Sequence, residues 1–435
     1  MPLNDDTYHR KHGVDIFMKE KDKIQIVRDL IAIRTVNDNE QQAADYLVSL
    51  LHKHGIAAKS IIQFPGRSNV VAEIGDGQHP KLGFSGHLDT VHEGQLSTWK
   101  TPPFEATLKD GRIYGRGTSD MKAGLAQFII TMIDLHDQNL PKHGTLRLLA
   151  TISEELTEEG AAFLSNEGYG DDLDAMLFSE PTGVPTDQLD TYFSSGAAII
   201  SPKKLDELYT ALEDSSAPEQ HFIINAHKGW MSYTVTSHGK AAHSSMPKLG
   251  INAIDNLVQY YIAEKALYHS LTERNPNLGK TVYAPDVFIG GKQVNSIPDL
   301  AYEKVKVRTI PELPNEKLVH KLQELVRELN KKPNFDLKLD VEQSENPVAN
   351  RGTNQLATIL QAHAKATLRE ALPLPTIGSS MGTDASEFRR HNSTGEFLII
   401  GPGNTTAHQS NEYVEIATFL NMQQLFKQVA IAYLN

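Results

Sequence analysis

His87 and Asp89 lie in Ser85-Gly86-His87-Leu88-Asp89-Thr90-Val91, directly after an apolar run. Glu154 and Glu155 follow the apolar run Thr145–Ile152, and Glu180 follows Asp174–Phe178. Each run reads as a strand, so three strands each deliver an imidazole or a carboxylate at the carboxyl end. That edge is where open α/β sheets bind ligands. One acidic residue after a strand is ordinarily a solvated loop residue, and it is the combination that carries a signal. The chain has no Cys, which excludes disulfides, thiolate zinc sites, iron–sulfur clusters and a cysteine nucleophile. Any metal must therefore be held by His and carboxylates.

Three further residues are candidates. Asp120, in Gly115-Arg116-Gly117-Thr118-Ser119-Asp120-Met121-Lys122, stands just before a helical pattern, where Asp is a common N-cap. The glycines there lack the spacing of a phosphate loop or a dinucleotide fingerprint, so nucleotide binding is rejected. His408 follows the Gly401-Pro402-Gly403 turn, and His243 lies in His238-Gly239-Lys240-Ala241-Ala242-His243-Ser244-Ser245. A lone loop His is more often structural than catalytic.

The elements that must position these residues follow from periodicity. Lys21–Ile33, Glu40–His54 and Lys122–His136 read as helices, and Ala57–Gln63, Asn69–Ile74 and Lys81–Ser85 as strands. Strands alternating with helices give an α/β class with a mixed, mainly parallel sheet. Pro181–Glu219 breaks the rhythm and reads as an insertion or connector. From Met231 to Val341 the order is β-α-β-β-α-β, a ferredoxin-like (α+β) arrangement. The expected division is a discontinuous catalytic domain, 1–221 and 346–435, with an inserted domain at 222–345.

Composition narrows the class further. The 435 residues carry 42 Lys+Arg against 54 Asp+Glu, a formal charge of −12. That balance argues against nucleic acid as a partner. The longest apolar run, around Phe128–Ile133, is far short of the roughly 20 residues that span a bilayer, so no membrane partner is expected. Met1–Glu20 is polar and lacks a secretory pattern. It reads as a frayed extension, with order from near Met18 and a cytoplasmic location.

Taken in order, five motifs resemble a known family. They are Gly86-His87-x-Asp89-Thr90-Val91, Gly115-Arg116-Gly117-x-x-Asp120-Met121-Lys122, Glu154-Glu155, Ser179-Glu180-Pro181 and Ala407-His408. The set is similar to that of the ArgE/DapE/aminoacylase-1 group, the M20 family of co-catalytic zinc amidohydrolases and peptidases. Within that family the chain most resembles the Gram-positive branch of succinyl-diaminopimelate desuccinylases.

The resemblance implies two Zn²⁺ per subunit, with Co²⁺ or Mn²⁺ as substitutes. It gives His87 and Glu180 to one ion, Glu155 and His408 to the other, and Asp120 to both. Asp89 would accept the free ring N–H of His87, and Glu154 would be the general base. The inserted domain would be the dimerisation (lid) domain of a homodimer, with His243 reaching the partner's site to hydrogen-bond the oxyanion. Asn295, Arg308 and Thr383 of the Gly382–Ser386 loop match substrate-binding positions, and Arg308 can grip a carboxylate bidentately. The implied reaction is hydrolysis of N-succinyl-L,L-2,6-diaminopimelate to succinate and L,L-diaminopimelate. The alternatives are an N-acetyl-amino-acid deacetylase or di/tripeptidase of the same family and, from another class, a non-catalytic metal-dependent binding protein.

Overall fold

Four apolar runs form adjacent parallel strands in the computed structural model of the chain, which describes residues 10–11, 14–15, 18–350 and 354–434. In spatial order these strands are Glu396–Ile399, Ala175–Phe178, Lys81–His87 and Thr145–Thr151. Thr145–Thr151 and Ala175–Phe178 are buried throughout, as parallel strands covered on both faces must be. Arg67–Gly75 and Ala58–Phe64 extend the sheet antiparallel on one side, and Ile223–His227 pairs antiparallel with Glu396–Ile399 on the other. The sheet is therefore mixed and parallel at its centre, as the alternating pattern predicts.

The chain divides into two compact units. The first comprises Met1–Asn225, Asn350–Gly378 and Thr383–Asn435, and the second Ala226–Ala349 with Ser379–Gly382. In the first, the helix Lys122–His136 is buried almost all round, so it packs as a core element rather than a surface one. Phe128 stacks on Phe84 of the sheet, ring centroids 4.2 Å apart, and meets Phe426 of the helix Ile416–Leu434 at 4.9 Å. The buried Lys122 ammonium donates to the carbonyls of Leu30 (2.9 Å) and Ile33 (2.6 Å), where the helix Glu20–Ala32 ends. Cations are favoured at a helix C-terminus.

Pro181–Glu219 is an arm with short elements of its own. Gly183–Pro185 pairs antiparallel with Glu219–His221, and the helices Leu189–Ser194 and Pro202–Glu213 lie between. Several short elements escape periodicity, among them the strands Thr376–Ser379 and Ile223–His227 and the helix Ala385–His391. Most of the segment expected to fray lies outside the described residues; within it, Arg10–Lys11 pairs antiparallel with Val14–Asp15.

The second unit is a four-stranded antiparallel sheet. Its spatial order is Val282–Gly290, Leu300–Thr309, Gly229–His238 and Leu337–Glu345. Helices Ala253–Ser270 and Asn315–Leu329 supply the two α elements of the β-α-β-β-α-β order. Gly229–His238 alternates buried residues with half-buried or, at His238, exposed ones, as a strand with one covered face does. Among the described residues no helix is long and apolar enough to cross a membrane.

Candidate metal centre

The parallel register brings the candidate residues to one edge. His87 stands opposite Thr151, so it leaves the sheet beside the turn that carries Glu154 and Glu155. Phe178, opposite both Ser85 and Ile399, ends the strand that leads to Glu180. Two glycines allow the loops to close on one another. A Cβ on Gly124, in the helix after Asp120, would lie 2.2 Å from the Ser179 carbonyl oxygen. One on Gly403 would lie 2.1 Å from the Ser119 carbonyl oxygen.

Two His–carboxylate groups meet at Asp120. His87 Nε2 lies 3.1 Å from Asp120 Oδ1, 3.7 Å from Glu180 Oε2 and 4.0 Å from Glu154 Oε2. His408 Nε2 lies 3.2 Å from Asp120 Oδ2 and 2.9 Å from Glu155 Oε2. The two oxygens of one carboxylate thus face different imidazoles. Single ligand atoms of His87, Asp120 and Glu155 all lie within 4.8 Å of one another.

Asp89 differs from expectation in which of its atoms meets His87. The ring Nδ1 lies 3.0 Å from the main-chain carbonyl oxygen of Asp89, against 3.6 Å to the carboxylate. The carboxylate is engaged elsewhere: it accepts the amides of Glu154 and Glu155, each at 3.2 Å. The carbonyl fixes the ring, and the side chain fixes the corner that bears the two glutamates.

The charges do not balance among these side chains alone. Burial pushes Glu154 and Glu155 up, with Glu180 adding to the first and Asp120 to the second. Burial also pushes Glu180 up, to about 7, with the neighbouring His87 opposing. Hydrogen bonds to Asp120 and Glu155 push His408 up to about 10. Burial alone would lower His87, but Glu180 and Asp120 hold it well above the ordinary imidazole value. Glu155 Oε1 is buried with no hydrogen-bond partner among the described residues. Crowded, desolvated carboxylates beside imidazole nitrogens, with a lone pair left over, suit divalent cations of the N/O-ligand class.

The remaining expected residues fall in two places. Thr383 is in the first unit, where its hydroxyl accepts the Ala385 amide at 3.3 Å. His243 and Asn295 adjoin each other in the second unit: Ser244 donates to the Asn295 carbonyl at 3.1 Å, and His243 bridges to Ser296. Arg308 sits near the far end of that sheet, opposite Trp230 and Val282.

Two buried acids beside the site had not been singled out. Asp384 accepts from Thr151 Oγ1 at 2.6 Å, its other oxygen has no hydrogen-bond partner among the described residues, and burial pushes it up to about 8. Its Gly-Thr-Asp-Ala-Ser setting, a single acid among small residues, was a usable signal. Glu412 is wholly buried and gathers the backbone that carries Asp120. Its only sequence cue is a spacing of four residues after His408.

Residues 83–432 match peptidase family M20/M25/M40. The chain belongs to this family. M20 membership makes it a metal-dependent hydrolase with a candidate His/carboxylate metal site. It is 35% identical to a probable succinyl-diaminopimelate desuccinylase of Staphylococcus aureus (strain MSSA476), over 95% of this chain and 98% of that one. It is 26% identical to a succinyl-diaminopimelate desuccinylase of Wolbachia pipientis wMel, over 95% and 94%. Among solved structures it shares its fold with aminopeptidase PepT of Bacillus cereus (TM-score 0.72, 18% identity, 95% and 99% covered). It also shares it with the YXEP protein of Bacillus subtilis, described as a dinuclear metal-binding peptidase from the M20 family (TM-score 0.68, 15% identity, 95% and 98% covered).

Proposed function

We propose that this M20 chain is a two-cation amidohydrolase that cleaves N-succinyl-L,L-2,6-diaminopimelate to succinate and L,L-diaminopimelate. The observation that carries the two-cation chemistry is Asp120, whose two oxygens face His87 and His408 separately. The names of the relatives aligned over most of both chains support the substrate.

In this reading His87 and Glu180 hold one Zn²⁺, His408 and Glu155 the other, and Asp120 both, with Co²⁺ or Mn²⁺ as substitutes. Such ions supply Lewis acidity, polarising the scissile carbonyl and easing deprotonation of water. Glu154 stands outside both ligand pairs. One of its carboxylate oxygens takes the proton from the attacking water and returns it to the leaving amine nitrogen. Arg308 grips a substrate carboxylate, Asn295 and Thr383 orient the substrate by hydrogen bonds, and His243 donates to the developing oxyanion.

The second unit favours a homodimer. His243 and Asn295 lie beyond the Leu300 end of the strand that carries Arg308 near its other end. Leu300 and Arg308 are roughly 27 Å apart at about 3.4 Å per residue. That separation favours two copies, each lending His243 and Asn295 to the other's substrate. The strand Val282–Gly290 lies at a sheet edge with Phe288 and Ile289 exposed, and Val258 and Ile262 are exposed on the helix Ala253–Ser270. An apolar edge of this kind suits a second copy of the chain.

The test is a panel. Zinc-loaded protein is offered N-succinyl-diaminopimelate, N-acetyl amino acids and short peptides, and kcat/KM is measured for each. The succinyl substrate should lead. Preference for substrates with a free α-amino group would replace the proposal with a peptidase, and inert protein holding two zincs would replace it with a binding role.

A further inference from the structure

The loop that carries Asp120 and the loop that carries His408 are tied together by a buried ion pair. Glu412 is wholly buried and Arg116 nearly so. Glu412 Oε1 accepts the amides of Gly117 (3.0 Å), Ser119 (2.7 Å) and Asp120 (3.0 Å). Its Oε2 accepts from the Arg116 guanidinium, whose second amino group donates to the carbonyls of His92 (3.3 Å) and His408 (3.4 Å). The Trp99 ring covers that guanidinium at 5.4 Å. The same loops are pinned again where the second one begins. The Asn404 amide donates to Ser119 Oγ at 2.7 Å, and that hydroxyl donates to the Asn404 carbonyl at 2.9 Å. His408 lies between the two ties, in a left-handed conformation at φ 64°.

We propose that Glu412 and Arg116 are a positioning pair that sets the placement of Asp120 relative to His408, and so the affinity of the cation site those two residues form with Glu155. The inference rests on the metal reading given above and adds residues outside the ligand set. Three main-chain amides on one carboxylate fix the backbone that leads into the Asp120 α-carbon from its N-terminal side. Metal ligands tolerate displacements of only about 0.2 Å, so a loop shift too small to unfold the chain still reaches the ion. A buried pair that merely stabilised the loops would move melting temperature and leave cation affinity alone. In Glu412→Gln, an NH₂ donor replaces one acceptor and meets either the main-chain amides or the guanidinium. In Arg116→Lys the charge stays, but the fork to the His408 carbonyl is lost.

The test titrates metal-free full-length protein with Zn²⁺ in competition with a chromophoric chelator, and melts each variant in excess chelator. The control is Leu360→Ala, which removes a buried side chain from the helix Gln355–Thr367, remote in sequence from either loop. Wild type should take up two ions. Glu412→Gln should lose about 10–100-fold in affinity, most at the ion held with His408 and Glu155, and Arg116→Lys should lose less. Leu360→Ala should lower the melting temperature with both affinities intact. Excess Zn²⁺ should restore turnover to Glu412→Gln. Wild-type affinities in both variants would overturn the proposal, as would an equal loss of affinity in Leu360→Ala. If Glu412→Gln does not fold, the comparison of Arg116→Lys with Leu360→Ala decides alone. Wild type taking up fewer than two ions would overturn the metal reading itself, and the pair's role with it.

Discussion

Asp89 holds Glu155 by its backbone: the Asp89 Oδ2 atom accepts the Glu155 amide at 3.2 Å, while Oδ1 accepts that of Glu154 at the same distance. One carboxylate thereby sets the direction in which two adjacent glutamates leave the strand Thr145–Thr151. In the proposed function Glu155 is a metal ligand and Glu154 the proton carrier, and a rotation of the corner would exchange their places.

Asp89→Asn turns one acceptor into a donor that opposes an amide. It should lower kcat and weaken cation binding, each by about 10–100-fold, the usual cost of losing a group that orients ligands. Circular dichroism should show an unchanged fold. Steady-state kinetics and metal content after dialysis check this, and a kcat within twofold of wild type would refute it.

Glu154→Gln removes the proposed proton carrier and keeps the shape. Turnover should fall by about 10²–10⁴-fold, the range for a positioned acid–base group, while two cations stay bound. Elemental analysis alongside single-turnover kinetics reads both. If ions are lost along with turnover, Glu154 is a ligand.

How far the sequence reveals this site depends on the range of the interactions. His87, Glu154, Glu155 and Glu180 were legible because each follows an apolar run whose strand character is local. The parallel register then brings them to one edge without further information. Asp120 reads equally well as an N-cap, and only its distances of 3.1 Å and 3.2 Å to two imidazoles separate those meanings. Arg116 and Glu412 were not legible, because they meet across 296 positions in the sequence. In isolation each is an ordinary loop charge. The Asp89 contact was half legible: the residue could be named, but which oxygen meets His87 depends on backbone direction after the strand. The strand Thr376–Ser379 is Thr-Ile-Gly-Ser, with a single apolar residue, so no apolar run marks it as those of Ala175–Phe178 and Glu396–Ile399 are marked.

The second unit should carry a pH dependence of its own, apart from the proposed metal ligands. Glu303 is buried on the sheet face that also carries Ala301, Val305 and Val307, and among the described residues neither of its carboxyl oxygens has a hydrogen-bond partner. Glu264, nearby, accepts from Tyr233 (2.6 Å) and Tyr260 (3.1 Å). Burial, with Glu264 adding, pushes Glu303 from 4.5 up to about 8. The folded state therefore holds a proton that the unfolded chain releases near 4.5. The stability tied to that proton is complete below 4.5 and is lost as pH rises through about 8. Glu303→Gln has no proton to lose. Its melting temperature relative to wild type should climb steadily from pH 5 to pH 8, whatever the offset at pH 5. Parallel curves for the two proteins would show that Glu303 does not titrate in this window.

His243 and Glu154 provide the sharpest test of shared sites. His243→Ala should cut kcat by about 10²–10³-fold, the usual loss for one oxyanion donor. If His243 serves the partner's substrate, that variant and Glu154→Gln are each inactive for complementary reasons. A mixed dimer then contains one site with its own Glu154 and a wild-type His243 from the other chain, and one site lacking both. Random reassortment of equal amounts makes half the dimers mixed, each with one working site of two, so activity should recover to about a quarter of wild type in a two-fold symmetric dimer. If His243 acts on its own chain's substrate, every site in the mixture lacks one group and no activity returns. Mixing after reversible dissociation, with size-exclusion chromatography to confirm reassembly, separates the two outcomes. Recovery that depends on protein concentration, with a midpoint at the dimer dissociation constant, would tie it to assembly.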